Sequence, residues 1–362
     1  MTKRKNISCD DDDFITPDKT VSVPVLVSTS ESTSESASTP KHNRKRVKFE
    51  TLPENINSIG DLIKIGKSGK FYKNLDIIML WDILPYLIEL DLMIGMENVK
   101  TSVFYQVIYY LQNLHTRSEG DYLHTIITGK PGCGKTSVAK IIGKIYQNLG
   151  ILSKHGKFKI ATRPDFVGEY LGSTAVKTKK LLTSCLGGVL FVDEIYALGN
   201  QEKRDSFAKE AIDVINVFLS EHKNDFCFIG AGYKDEIEKC FFAYNEGLSR
   251  RFPWRHDIQG YTSDNLADIL LKMVREMNWE INVNKNDIIN IIGLNEELFV
   301  DAGGSIETLL SKIKLTHSKR VFGKEKELKF IITIDDIENA VRMVKQFSKK
   351  KEKKFSAEMM YI

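Results

Sequence analysis

Two short stretches of this chain carry residue types at a spacing that can do chemistry. The first is Gly129-Lys130-Pro131-Gly132-Cys133-Gly134-Lys135-Thr136, followed by Ser137. It fits G-x-x-x-x-G-K-[ST], a loop whose backbone N–H groups turn inward around a phosphate. Lys135 has the length to reach β and γ phosphates, and the Thr136 hydroxyl is the oxygen donor that Mg²⁺ takes. The second stretch is Gly188-Val-Leu-Phe-Val-Asp193-Glu194, an apolar run ending in two carboxylates. At the carboxyl edge of a nucleotide-binding sheet, Asp193 stands beside the metal and Glu194 polarises the attacking water. Each stretch alone has a bland reading, a glycine turn or a solvated acidic turn. Together they predict a triphosphate site in which Gly129 through Ser137 surround the phosphates. Thr136 and Asp193 hold Mg²⁺ in that site, and Lys135, Asp193 and Glu194 act in catalysis.

Such a site needs a strand before the glycine loop and a helix after it. Apolar runs at Leu123–Thr128, Phe158–Ala161, Val189–Val192 and Phe226–Ala231 read as strands. Between them Lys135–Asn148, Ala175–Cys185 and Phe207–His222 read as helices. Strand–helix alternation predicts an α/β fold, a parallel sheet flanked by helices, over residues 119–261. From Thr262 onward the strands are expected to stop. Leu266–Met277, Ser305–Val321 and Asp335–Phe347 read as amphipathic helices of a small helical domain, 262–347. Ahead of the core, residues 54–118 read as helical, with Val103, Val107, Tyr110, Leu111 and Leu114 on one stripe. Residues 1–53 read as a disordered tail: Asp10–Asp13 is acidic, and Ser28–Thr39 holds nine Ser or Thr in twelve positions. Such a segment buries too little to offset its ordering entropy. The segment 348–362 reads as a basic tail.

Composition narrows the class. A chain of 362 residues, 42% hydrophobic and 28% charged, is neither wholly disordered nor a small disulfide scaffold. A net charge of +4 is too mild to imply nucleic-acid binding by itself. The five cysteines form no C-x-x-C pair, which fits free thiols in a reducing compartment. Met1–Phe14 lacks an apolar secretory core, and Leu75–Gly95 is broken by Asp76, Asp82, Pro85, Glu89 and Asp91. The expectation is a soluble intracellular protein with no membrane partner.

With these motifs the chain resembles the AAA+ ATPases, over roughly Leu92 to Phe347. It is most similar to the branch of red-type Rubisco activase and the sporulation stage V AAA protein. The specific part is Asp165-Phe-Val-Gly-Glu-Tyr170-Leu171-Gly172, running on to Gly187-Gly-Val-Leu-Phe-Val-Asp-Glu194. Its Ile-, Lys- and Asn-rich composition also resembles homologues from large DNA viruses. The resemblance implies a P-loop core with a C-terminal helical lid, ATP as substrate, and a homo-oligomer, most simply a hexamer. Ile94-Gly95-Met96 resembles the segment that wraps the adenine. Tyr170-Leu171-Gly172 resembles the aromatic loop that lines a ring's pore and grips a protein client. Asn245-Glu-Gly-Leu-Ser-Arg250-Arg251-Phe-Pro resembles the stretch whose arginine acts in trans, with Arg251 in register and Arg250 where the family has Ser. The chain departs from the family twice. Tyr233 stands where a polar sensor often does. No Arg or Lys occurs from Asp301 through Ser311, so the lid's sensor arginine is missing from its expected place, with Lys312 or Lys314 as the substitutes that remain open.

Three functions compete on this core. The aromatic at Tyr170 favours a hexameric protein remodeller. The basic segments motivate a nucleic-acid motor or loader, and the missing arginine motivates a nucleotide-gated scaffold with slow turnover. Lys41–Lys48 reads either as a nuclear import signal or as a solvated charge run, and nuclear, host-cytoplasmic and virion locations stay open. Arg46-Val47-Lys48-Phe49 resembles a phosphatase docking motif.

Overall fold

The computed structural model describes residues 48–117, 121–170, 172–200, 205–245 and 247–359. Its centre is a five-stranded, wholly parallel sheet in the order β4-β5-β6-β3-β7. In chain order these are β3 Thr125–Gly129, β4 Phe158–Ala161, β5 Val189–Val192, β6 Cys227–Gly232 and β7 Trp254–Ile258, numbered after two short strands nearer the N-terminus. The helices α4 Lys135–Asn148, α5 Arg163–Phe166, α6 Ser173–Thr183, α7 Ser206–Glu221 and α8 Lys234–Cys240 connect them. The interior strands read apolar throughout because helices cover both faces. Val189, Leu190, Phe191 and Val192 are all buried.

The strand β7 was not expected from its sequence, Trp-Arg-His-Asp-Ile. It lies at the sheet edge, where only His256 and Ile258 are buried and the intervening residues meet water. An edge strand alternates, and five mixed residues are too few to announce it.

On the N-terminal side stand α1 Ile59–Lys67, α2 Ile77–Asp91 and α3 Glu97–Leu111. The expectation of helix alone across 54–118, and of disorder to residue 53, needs correction. Phe49–Glu50 (β1) pairs in parallel with Phe71–Tyr72 (β2). Phe49 rests edge-on against Phe71 at 6.2 Å, and Phe71 against Trp81 at 5.7 Å. Lys70 pairs with Glu50 at 2.9 Å. Phe49 of the docking-like motif is therefore engaged in its own chain, while Arg46 and Val47 lie outside the described residues, as does the rest of the expected tail to residue 47. Of the basic cluster only Lys48 is described. The helix α3 carries the predicted stripe, with Val103, Val107, Tyr110 and Leu111 buried; Leu114 lies beyond its end and is exposed.

After the sheet come α9 Ser263–Glu276, α10 Lys285–Gly293, α11 Gly303–Val321 and α12 Ile334–Met359. Strands do not stop at Thr262: β8 Glu280–Ile281 pairs in parallel with β9 Ile331–Ile332. Two residues per strand are too short for any period to show. The helix α9 starts at Ser263, ahead of the expected Leu266, with Thr262 and Asn265 forming a reciprocal cap. The backbone of α12 continues helical into the expected basic tail, to Met359. These helices share their own apolar cluster, centred on Leu270, Ile288, Ile306, Ile313 and Ile337. Among the described residues no helix is long and apolar enough to cross a membrane.

Candidate nucleotide site

The glycine loop leaves the carboxyl end of β3, between β6 and β7, and opens α4. Its conformation depends on glycine at two points. Gly134 caps α4 with φ +88°, and Gly132 has φ +66°, both left-handed. The N–H groups that start α4 have no helical acceptor, so they and the helix dipole suit an anion. Cys133 points the other way, into the core, and burial pushes its thiol up. Its carbonyl accepts the Tyr261 hydroxyl at 3.1 Å, which ties the loop to the start of the lid. Lys135 Nζ donates to the carbonyls of Gly129 (3.1 Å) and Lys130 (2.9 Å), so the ammonium already lies across the loop.

β5 delivers Asp193 and Glu194 to the same cleft. Asp193 Oδ1 accepts the Glu194 N–H at 3.0 Å, and Glu194 turns left-handed at φ +49°, which swings it out of the strand line. The cavity of about 410 Å³ is lined by Pro131, Gly132, Gly134, Lys135, Thr136 and Ser137 from the loop side and by Asp193 and Glu194 from the strand. Tyr196, Gly232 and Tyr233 form its wall. The two tyrosine rings stand 5.8 Å apart, and Tyr233 lies 5.9 Å from Lys135 Nζ. Burial, with the Glu194 carboxylate beside it, pushes the Tyr196 phenol up to about 12. Tyr196 therefore stays a neutral donor next to Glu194. Its position two residues after the carboxylates was a signal available in the sequence.

The other expected residues divide. Gly95 packs under the Tyr261 ring, while its neighbours Met93 and Met96 approach Gly134 of the loop; neither Ile94 nor Gly95 lines the cavity. Neither Arg250 nor Arg251 lines the cavity. Arg250 is exposed. Arg251 is half-buried and bound at home: Nε donates to Asn216 O (3.1 Å) and Ser220 Oγ (2.6 Å), and a terminal nitrogen donates to Gly247 O (2.6 Å). Tyr170 is also away from the cavity and 74% exposed. Its loop is closed by Ser173, whose Oγ donates to Tyr170 O at 2.6 Å. Lys177 ties the loop's base, donating to Pro164 O (2.8 Å) and Val167 O (2.9 Å). Gly172 caps α6, and Leu171 lies outside the described residues. Sequence reasoning missed Tyr261 and Glu307, which come from the lid side, far along the chain, with no local pattern to mark them.

Thr136 and Asp193 bring oxygen donors to one cleft beside a cradle of N–H groups, a set suited to a hard cation and phosphates. Comparison with known proteins gives the family. Residues 125–250 match the ATPase family associated with various cellular activities (AAA). A CfxQ-like protein of Acanthamoeba polyphaga mimivirus is 38% identical over 269 residues, 74% of this chain. The match spans 66% of that relative, a little under two thirds of its length. A ribulose bisphosphate carboxylase/oxygenase activase of Cyanidioschyzon merolae is 32% identical over 237 residues, covering 64% of this chain and 80% of that protein. Among solved structures, the FIGL-1 AAA domain in complex with ADP superposes with TM-score 0.53 at 17% identity, covering 70% of this chain and 82% of that one, a likeness of fold. Phosphate loop, acidic strand end, sheet order and relatives converge: the chain is a nucleotide-binding member of the AAA ATPase family.

Proposed function

We propose that the protein hydrolyses ATP and works as a hexameric ring that draws a protein client through its pore. The carrying observation is Tyr170: a large aromatic, 74% exposed, on a loop closed by Ser173 and tied at its base by Lys177. A bare ring held out in water by a braced turn suits a grip on extended polypeptide, which needs no particular sequence. Of the three lysines that follow and would serve a nucleic-acid reading, Lys177, Lys179 and Lys180, Lys177 is occupied with backbone carbonyls instead.

In this reading Lys135 leaves the carbonyls of Gly129 and Lys130 for the β and γ phosphates. Thr136 and Asp193 would hold Mg²⁺, which would supply positive charge against the phosphates. Glu194 orients and polarises the attacking water, with the Tyr196 hydroxyl fixing that carboxylate. Arg251 is the trans-acting arginine by register, so ring assembly must release its three home bonds. The AAA relatives support this assignment at the level of family; client and ring are this proposal's own.

Client trapping by Glu194→Gln, followed by identification of what co-purifies, names the client. With that client, Tyr170→Ala leaves basal ATPase activity within about threefold of wild type and abolishes client stimulation, because roughly 1–3 kcal/mol of apolar grip is lost per subunit. Tyr170→Phe retains it. Turnover stimulated by DNA or RNA that survives Tyr170→Ala would overturn threading in favour of a nucleic-acid motor.

A further inference from the structure

The lid touches the phosphate loop directly. A Cβ on Gly303 would stand 2.6 Å from Gly132 O, and one on Gly132 would stand 2.7 Å from Gly304 N. Bare backbone meets bare backbone there, so the start of α11 rests on the tip of the loop. One turn further along α11, Glu307 lines the same cavity as Lys135, Thr136, Asp193 and Glu194.

Among the described lining residues Lys135 is the one cation, facing three carboxylates: Asp193, Glu194 and Glu307. The Asp193 and Glu194 carboxylates have chemistry to do there. Glu307 is exposed, and its side chain makes no ion pair or hydrogen bond among the described residues. It lies beyond the first turn of α11, where a carboxylate no longer gains from the helix dipole.

We propose that Glu307 is a specificity-determining residue that sets the lid against the terminal phosphate, so that the closed lid favours a nucleoside diphosphate over a triphosphate. This rests on the nucleotide-site reading. A lid arginine at this face would attract the γ-phosphate and close on the triphosphate. A carboxylate reverses the sign: the triphosphate brings one more negative charge to the end of the cleft that Glu307 faces. Repulsion then opens the lid in the triphosphate state, and loss of the γ-phosphate lets Gly303 and Gly304 settle on Gly132. Two states distinguished by about one unit charge are separated by a modest, salt-sensitive factor.

The test is calorimetric titration of the full chain with Mg²⁺·ADP and with a non-hydrolysable Mg²⁺·ATP analogue. Glu307→Gln tightens the ATP analogue by about 3–10-fold and moves ADP by less than about twofold, the gain shrinking at high salt. Glu307→Arg shifts the ratio further in the same direction. Glu307 is exposed, so neither change threatens folding, and a thermal melt confirms it. Equal tightening of both nucleotides would overturn the proposal, since Glu307 would then only add to the background charge. Weaker binding of the ATP analogue by Glu307→Gln would also overturn it, by making the carboxylate a partner of the metal. Failure of the unaltered chain to bind either nucleotide would remove the site reading itself.

Discussion

The α/β core and the lid bury their polar residues in opposite ways. The core hides two histidines, His124 and His256, and keeps them neutral. Burial pushes both down to about 4. His124 accepts the Phe228 N–H at Nδ1 (3.3 Å) and meets Leu219 O at Nε2 (3.1 Å). His256 finds no partner for either ring nitrogen among the described residues. The lid instead buries a charge. Asp336 accepts Arg320 Nε at 2.8 Å and the Thr333 N–H at 3.0 Å, and His317 Nδ1 lies 3.1 Å away. Burial opposes ionisation there, but the Arg320 guanidinium and the Thr333 N–H hold Asp336 below the usual carboxylate range. A five-stranded ladder already fixes the register of the core, so its interior can be apolar. The lid has only two-residue strands to register its helices, and one buried ionic node locks α11, β9 and α12 to one another.

Removing the node tests that contrast most severely. Asp336→Ala leaves Arg320 and His317 without their shared partner and costs roughly 3–5 kcal/mol, as read by urea unfolding. The loss should be followed by Trp279, whose ring lies 5.0 Å from His317, before it appears at Trp254 of β7. A cost under about 1 kcal/mol would mean the lid is held by its apolar cluster alone.

Acid tests the other side. Each core histidine takes up a proton on unfolding below pH 6.5 but resists it in the folded state until about pH 4. Their stabilisation is complete above pH 6.5 and is lost as pH falls toward 4, by roughly 3 kcal/mol for each group. Asp336 keeps contributing down to its unfolded value of 3.8 and is lost only below it. Between pH 6.5 and 4 the core therefore weakens while the lid's node holds. His256→Leu roughly halves that dependence, leaving the share of His124, and, by removing two unpaired nitrogens, leaves neutral-pH stability equal or higher. Thermal melts across pH, read at Trp254 and at Trp279, check the order. Simultaneous loss of both signals would merge the two regions into one cooperative unit.

The smallest effect belongs to the contact between them. Gly303→Ala drives a methyl group against Gly132 O and weakens the closed cleft by about 1–2 kcal/mol. Hydrogen exchange should rise at residues 131–134 and 301–305 with the global melting temperature nearly unchanged. Gly304→Ala, whose Cβ meets nothing within 4 Å, serves as the control.

The sequence by itself determined what is local in this protein. The glycine loop, the apolar strand ending in Asp193 and Glu194, and the helix Lys135–Asn148 are legible because their chemistry lies within a few consecutive residues. A strand buried on both faces, or a helix opening on a glycine turn, states its own environment. Where an element is half-solvated or two residues long, as β7, β8 and β9 are, no period accumulates and the sequence is silent. Only the tertiary structure decided which distant residues share the cleft. Tyr261 holds the loop from 128 residues away, Arg251 is bound at home, and Glu307 brings a negative charge to the cavity. These are facts of packing between separate helices, and such contacts leave no spacing in the chain from which to read them.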